Sequence, residues 1–296
     1  MKNSVRLPAF AKVNLCLHVL GRRPDGYHEL RTQFQSITLH DVLELTKLRG
    51  RAISLEIDDP ALPTGRENLV HRAIEAMRRE LSFRGGIHAR LSKQIPVARG
   101  LGGGSSDAAS AIIGMLRLTG QKLSLARAME IGATLGADVP FFLFGGRALG
   151  VSRGDELYPS PDGPKYSVVV VSPDGIAVST RDAYRWVSSE LTKRKSPRKI
   201  SSFCALCWSR QEAPLENDFE GPVFRRYPRL AAIKRALLQQ GAAEAALAGS
   251  GSAVFGLFRS PAQARRAAFG FPEDQVFVVE TIARQDYARI MRPRFV

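Results

Sequence analysis

Cysteine is nearly missing. Cys16, Cys204 and Cys207 are the only three in 296 residues, too few and too unevenly spaced for the disulfide framework of a small secreted fold. Cys204 and Cys207 make a C-x-x-C, but there is no second pair, and all five histidines lie far upstream, the nearest being His88, so neither a zinc site nor a redox role is expected. Long apolar runs are missing too. Nothing reaches the length of a membrane span, and Asn14 and His18 interrupt the first hydrophobic segment before it could act as the core of a signal peptide. Those absences predict a cytoplasmic protein without a membrane partner. Negative charge is scarce: 28 Asp and Glu face 43 Lys and Arg, leaving +15. That excess suits nucleic acid, anionic lipid or a multiply charged small substrate, and alone it does not separate them. The hydrophobic share, 44%, is ordinary for a globular protein, and the length suggests two domains.

The informative stretch runs from Pro96 to Ala109. Gly100, Gly102, Gly103 and Gly104 supply backbone that can take positive φ and lie close against a ligand. From Ser105 onward Ala108, Ala109, Ile112, Ile113 and Leu116 repeat at helical spacing, and Gly120 ends the run. Free amides and the positive end of a helix dipole therefore meet at one point, with the Ser105 and Ser106 hydroxyls beside them, which favours a phosphate. No Gly-Lys-Ser/Thr closes the loop as in a Walker A sequence, and Ser105 stands where the third glycine of G-x-G-x-x-G would be.

Upstream, Val13, Leu15, Leu17 and Val19 alternate with Lys12, Asn14, Cys16 and His18, a strand whose polar face carries Lys12 and Asn14. Pro24-Asp25-Gly26 is a turn that presents Tyr27 and His28. Strands are expected at 33–39, 42–46 and 52–57, then a helix capped by Asn68 and a strand from Ile87 to Leu91. Downstream, a helix over 124–135 stops at Gly136, and Asp138 sits in or just before a short helix begun at Pro140. Beyond residue 160 the order of strands (167–171, 243–247, 253–258, 276–279) and helices fits a split βαβ, ferredoxin-like layout with one additional helix. Thr180 and Tyr184 share a face of one of these helices, and Ala248-Gly249-Ser250-Gly251-Ser252 joins two strands as a second small-residue loop. Five positive charges in seven residues fill 193–199, a solvated loop or a nucleic-acid contact.

Taken together, Pro96-Val-Ala-Arg-Gly-Leu-Gly-Gly-Gly-Ser-Ser106, Ala11-Lys12-Val13-Asn14-Leu15, Gly136-Ala-Asp-Val-Pro140 and Gly249-Ser250-Gly251 resemble, in order, the signatures of the GHMP kinases, the family of galactokinase, homoserine kinase and mevalonate kinase. The resemblance implies an α+β, two-domain fold, with a ribosomal-protein-S5-like domain over 1–160 for ATP binding and catalysis and a ferredoxin-like domain over 161–296. It implies an ATP- and magnesium-dependent small-molecule kinase, a monomer or weak homodimer. Pro24-Asp-Gly-Tyr-His-Glu-Leu30 is similar to the members whose acceptor is a cytidine diphosphate sugar alcohol.

By position, the resemblance makes Lys12 and Asp138 the catalytic pair. It makes Pro96, Val97, Ala98, Arg99, Gly100, Leu101, Gly102, Gly103, Gly104, Ser105 and Ser106 the ATP phosphate loop, with Asn68 and Lys93 near the adenosine. Asn14, Tyr27, His28, Asp138, Thr180, Tyr184, Gly249 and Ser250 then hold the acceptor, its cytosine stacked between the two tyrosines and read by His28. Magnesium is held mainly by ATP phosphates, with Ser105 or Asp107 as candidate ligands; Asp107 alternatively complements the helix dipole. Three places depart from the family's pattern: Ala98-Arg99 replaces glycines, Asp107 replaces Asn or Ala, and Arg181 replaces proline. Two other readings stand beside this one: a homoserine- or mevalonate-type kinase, whose substrate has no base to stack, and a basic RNA-binding module, which leaves the glycine loop, Lys12 and Asp138 unexplained.

Overall fold

The computed structural model describes residues 3–191 and 215–296; the basic cluster 193–199 and Cys204 and Cys207 lie outside the described residues. Two long antiparallel strands, β1 (Ser4–Arg22) and β2 (His28–Leu48), form the spine of the first sheet. Their turn forms as its residues dictate: Asp25 Oδ1 accepts from the Tyr27 amide at 3.1 Å and Gly26 takes φ +85. The two strands expected at 33–39 and 42–46 are one. His40 and Asp41 look like a polar interruption, but no glycine or proline stands there, and Asp41 is wholly buried.

On its other side β2 pairs first with β5 (Arg147–Ser152), which carries β6 (Glu156–Pro159), and then with β4 (Gly86–Ser92), which carries β3 (Ile53–Ile57) in parallel. Helix α1 (Leu69–Glu80) makes the β3 to β4 crossover. Asn68 caps it by accepting from the Val70 amide at 2.8 Å, and Val70, Ala73, Ile74 and Met77 face inward. Helix α2 (Gly103–Thr119) starts two residues before Ser105 and is buried nearly all round rather than on one face, because α1, α3 (Leu125–Leu135) and the sheet enclose it.

The second sheet is antiparallel in the order β11-β7-β10-β9, from β7 (Ser167–Ser172), β9 (Glu244–Leu247), β10 (Val254–Phe258) and β11 (Gln275–Glu280). Helices α4 (Thr180–Leu191), α5 (Glu220–Arg226), α6 (Pro228–Gln239) and α7 (Pro261–Ala268) share one core with Val169, Val171, Val254 and Phe258. The alternate residues Val168, Val170, Ala246 and Phe255 join Ala11, Val13, Leu15, Ile37 and Leu39 of the first sheet. Each such Val or Leu side chain taken from water contributes about 1.5–3 kcal/mol. β8 (Glu216–Asn217) pairs in parallel with β1, and α8 (Arg284–Met291) returns to the first core, where the Tyr287 hydroxyl donates to the Phe142 carbonyl at 2.6 Å. Among the described residues no helix is long and apolar enough to cross a membrane.

Candidate active site

With β1 covered on both sides, its polar face is not solvated as such a face usually is. Lys12, Asn14 and His18 are all less than 5% exposed, and each has a partner. Register shifts between Phe10 and Lys12 and between Asn14 and Cys16 bracket the segment, bulges of the kind that re-aim side chains. A directional chain results. Lys12 Nζ donates to Asn14 Oδ1 at 2.8 Å, Asn14 Nδ2 to Thr32 Oγ1 at 2.7 Å, and Thr32 Oγ1 to the Cys16 carbonyl at 2.8 Å. The same ammonium lies 3.5 Å from Asp138 Oδ2, from the turn that precedes the 3-10 segment Phe141–Leu143, so residues 126 positions apart in sequence meet. Asp138 keeps 32% of its side chain exposed, so one side of the carboxylate faces the cavity while Lys12 holds the other.

The glycine loop arrives beside this pair: the Lys12 amide donates to the Leu101 carbonyl at 3.0 Å. Not every glycine bares backbone to a ligand. A Cβ on Gly100 would fall 1.9 Å from the Ala248 carbonyl oxygen, so this glycine lets the two small-residue loops touch, whereas Gly104 has only a Leu69 methyl within 4 Å and opens on the cavity. Arg99 reaches the same second loop, donating to Ser252 Oγ at 2.6 Å. Ser106 departs from the expectation. Because α2 begins at Gly103, its side chain turns into the core, fully buried and away from the cavity, with a hydroxyl that has no partner among the described residues.

Lys93 and Asp107 line the same cavity, with their charged ends turned on each other and on Asp41. The Lys93 ammonium sits between Asp41 Oδ2 and Asp107 Oδ2, the latter at 2.8 Å, and the three side chains are at most 8% exposed. Asp41 Oδ1 accepts from the Ile95 amide at 2.8 Å and also from the Gln94 amide. The cluster ties the entrance of the glycine loop to the second turn of α2, and Asp41 escaped the sequence reading because a single aspartate beside His40 has no spacing signature. Burial opposes the Lys93 charge, but the carboxylates of Asp107 and Asp41 outweigh it and raise its pKa; burial pushes the Asp107 carboxyl up. Asp107 Oδ2 is thereby committed to Lys93, while its buried Oδ1 has no hydrogen-bond partner among the described residues. Lys93→Met should cost about 3–5 kcal/mol in urea denaturation, since two buried carboxylates would face each other unpaired; a loss below about 1 kcal/mol would contradict this account.

At the other end of the cavity Thr180 Oγ1 and Ser250 Oγ lie 3.1 Å apart. Asn217, another residue the sequence did not flag, holds the Gly249 turn by donating to the Leu247 and Gly249 carbonyls, both at 2.8 Å. The His28 ring stacks on Tyr184 with centroids 4.7 Å apart and an angle of 26°, Phe219 meets the tyrosine edge-on, and His28 Nε2 bonds Ser188 Oγ at 2.7 Å. One face of Tyr184 is therefore already taken by His28, while Tyr27 stands apart, 55% exposed, with the Arg153 guanidinium 5.1 Å from its ring centre. Burial, and secondarily the charge of Asp138, pushes the Tyr184 hydroxyl well above its usual range.

Burial and then the positive charge of Arg22 lower the His28 pKa below 6.5. Between that lowered value and 6.5 the unfolded chain binds the proton and the folded chain does not, so His28's contribution to stability rises with pH across the window and is complete above it. If neutral His28 reads the acceptor, the acceptor KM should stay flat above pH 6.5 and climb only below the lowered value, with the KM for ATP unmoved. A climb that begins above pH 6.5 would contradict it.

Lys12, Asn14, Asp138, Tyr27, His28, Tyr184, Thr180 and Ser250 line one cavity of about 1020 Å³, which also takes in Asn68 and the whole run Pro96 to Ser105. Ordinary ligand pockets span about 300–1,000 Å³, so two ligands can meet in it end to end. Of the residues predicted for the site, only Ser106 lies outside its lining. Asn68 reaches it while its side chain is occupied by its cap and by the Pro63 carbonyl at 2.8 Å. Among the described residues no three His, Cys, Asp or Glu side chains gather to cage a metal.

The family model described as GHMP kinases N terminal domain matches residues 68–146, and GHMP kinases C terminal matches 190–274. The chain is 45% identical to 4-diphosphocytidyl-2-C-methyl-D-erythritol kinase of Solibacter usitatus, covering 97% of this chain and 91% of that one. It is 41% identical to the enzyme of the same name from Pelotomaculum thermopropionicum, over 92% and 96% of the two. A crystal structure of 4-(cytidine 5'-diphospho)-2C-methyl-D-erythritol kinase superposes with a TM-score of 0.79 at 36% identity, over 94% of this chain and 99% of that one. With its two-domain α+β fold, the chain belongs to the GHMP kinases, a family of ATP-dependent small-molecule kinases.

Proposed function

We propose that the chain transfers the terminal phosphoryl group of ATP to the 2-hydroxyl of 4-diphosphocytidyl-2-C-methyl-D-erythritol, yielding the 2-phosphate and ADP, a step in isoprenoid precursor biosynthesis. The observation that carries this reading is the Lys12–Asp138 pair, 3.5 Å apart, on a cavity whose wall runs from the glycine loop to the His28–Tyr184 stack. One nucleotide approaches from each end.

In phosphoryl transfer the protein mainly positions groups and stabilises charge. Asp138 receives the acceptor hydroxyl as a hydrogen bond and takes its proton late. Lys12, fixed by Asn14, orients the carboxylate and offsets charge on the passing phosphoryl. The amides of the glycine loop and the α2 dipole hold the phosphates of ATP. Magnesium carried by the ATP phosphates would be held on the protein side by Ser105 and Asp107 of the cavity lining, where Asp107 Oδ2 is paired with Lys93 and Oδ1 has no partner among the described residues, and it would neutralise phosphate charge. The same reading has the enzyme act in the cytoplasm on diffusing small molecules, as a monomer or weak homodimer. The test is a coupled assay of ADP release with the cytidine compound, homoserine and mevalonate side by side. Turnover with the cytidine compound alone is expected; preference for either other acceptor would refute the reading.

A further inference from the structure

Four arginines line the acceptor end of the cavity: Arg22 at the end of β1, Arg153 just after β5, and Arg181 and Arg185 in the first two turns of α4. Each stands next to a residue of the proposed acceptor site. Arg153 lies over the Tyr27 ring, Arg22 is close enough to act on His28, Arg181 follows Thr180 and Arg185 follows Tyr184. Two of the four are already neutralised, Arg153 by Asp155 and Arg185 by Asp182 at 2.8 Å. Arg22 and Arg181 are exposed and have neither an ion pair nor a side-chain hydrogen bond among the described residues. Asp138, a carboxylate at this end, is held by Lys12 and does not neutralise them. Two free cations beside a stacked aromatic pair ask for an anion attached to a base.

We infer that Arg22 and Arg181 grip the diphosphate of a nucleoside diphosphate acceptor. This rests on the acceptor proposed above. With the base at the His28–Tyr184 stack and the reacting hydroxyl at Asp138, the linking phosphates must cross the start of α4, where Arg181 stands and the helix dipole is positive. Ser179 Oγ bonds the Asp182 amide at 3.3 Å, which leaves the earlier amides of that turn to the ligand. A guanidinium presents paired donors to phosphate oxygens, so each arginine adds both charge and direction.

The test is calorimetric titration of cytidine, CMP and CDP into the wild type, Arg22→Ala, Arg181→Ala and the double variant. The wild type is expected to bind CDP at least about tenfold more tightly than cytidine, and each alanine variant to lose about tenfold in CDP affinity, as for a charge-assisted hydrogen bond, with cytidine unchanged. The CDP advantage should shrink as salt is added, and Arg181→Lys should recover only part of it. Unchanged cytidine affinity also certifies that the variants are folded. CDP and cytidine weakening together, or CDP gaining nothing over cytidine in the wild type, overturns the diphosphate assignment while leaving the acceptor reading intact. Failure of cytidine itself to bind the wild type overturns both.

Discussion

Asp138→Ala should lower kcat by about 10²–10⁴-fold while KM for ATP moves little. The carboxylate faces the cavity on one side and Lys12 on the other, so removing it strips the reacting hydroxyl of its proton acceptor without touching the glycine loop. Alanine also leaves a buried ammonium with Asn14 as its remaining hydrogen-bond partner. Asp138→Asn keeps the volume and a polar contact to Lys12 and isolates the chemical loss; it should be as slow as alanine but melt like the wild type. Steady-state kinetics on both variants, with thermal denaturation alongside, separates the two effects. Activity near the wild type in either would remove Asp138 from the mechanism.

Gly100→Ala should cost about 10²-fold or more in kcat/KM, the scale expected when a loop that positions a substrate shifts by an ångström. The added carbon would lie 1.9 Å from a backbone oxygen of the Gly249 loop, at φ +80, so neither a rotamer change nor a small relaxation can absorb it. The two loops must part, and they carry the phosphate-binding amides and Ser250 respectively, so KM for both substrates should rise. Gly104→Ala is the contrast. Its nearest neighbour is 3.8 Å away, and alanine suits a helix better than glycine by about 1 kcal/mol. Stability should hold or improve while ATP binding weakens, because the methyl group would stand where phosphate approaches. Equal stability losses in the two variants would contradict the division of labour between these glycines.

The elements and the site differ in how far they could be read from the chain alone. Asn68, Ser124, Gly120 and Gly136 bounded their helices as caps and stops should, because capping is local chemistry. The alternation of β1 was legible, but its burial on both faces was not, since a strand does not announce what covers its polar side. The merger of 33–39 with 42–46 was hidden by Asp41, whose partners stand more than 50 residues away. Lys12, Asp138, Thr180 and Ser250 say little alone and took their expected roles from the family resemblance, whereas the glycine loop could be found from its own composition ahead of a helix. Asp41, Asn217 and the free arginines could not, because each works through a tertiary contact or, for Arg22 and Arg181, through the want of one.

The return of α8 to the first core links synthesis to activity. Tyr287 fills a place against Gly145 and binds the carbonyl of Phe142, four residues past Asp138, so the turn that carries Asp138 is braced by a side chain 149 positions further along the chain. Domains usually fold as they emerge, N-terminal half first. Here that half must wait with an open seam, and a nascent chain that stalls short of residue 287 already holds Lys12, the glycine loop and Asp138 yet lacks the strut that sets the last of them.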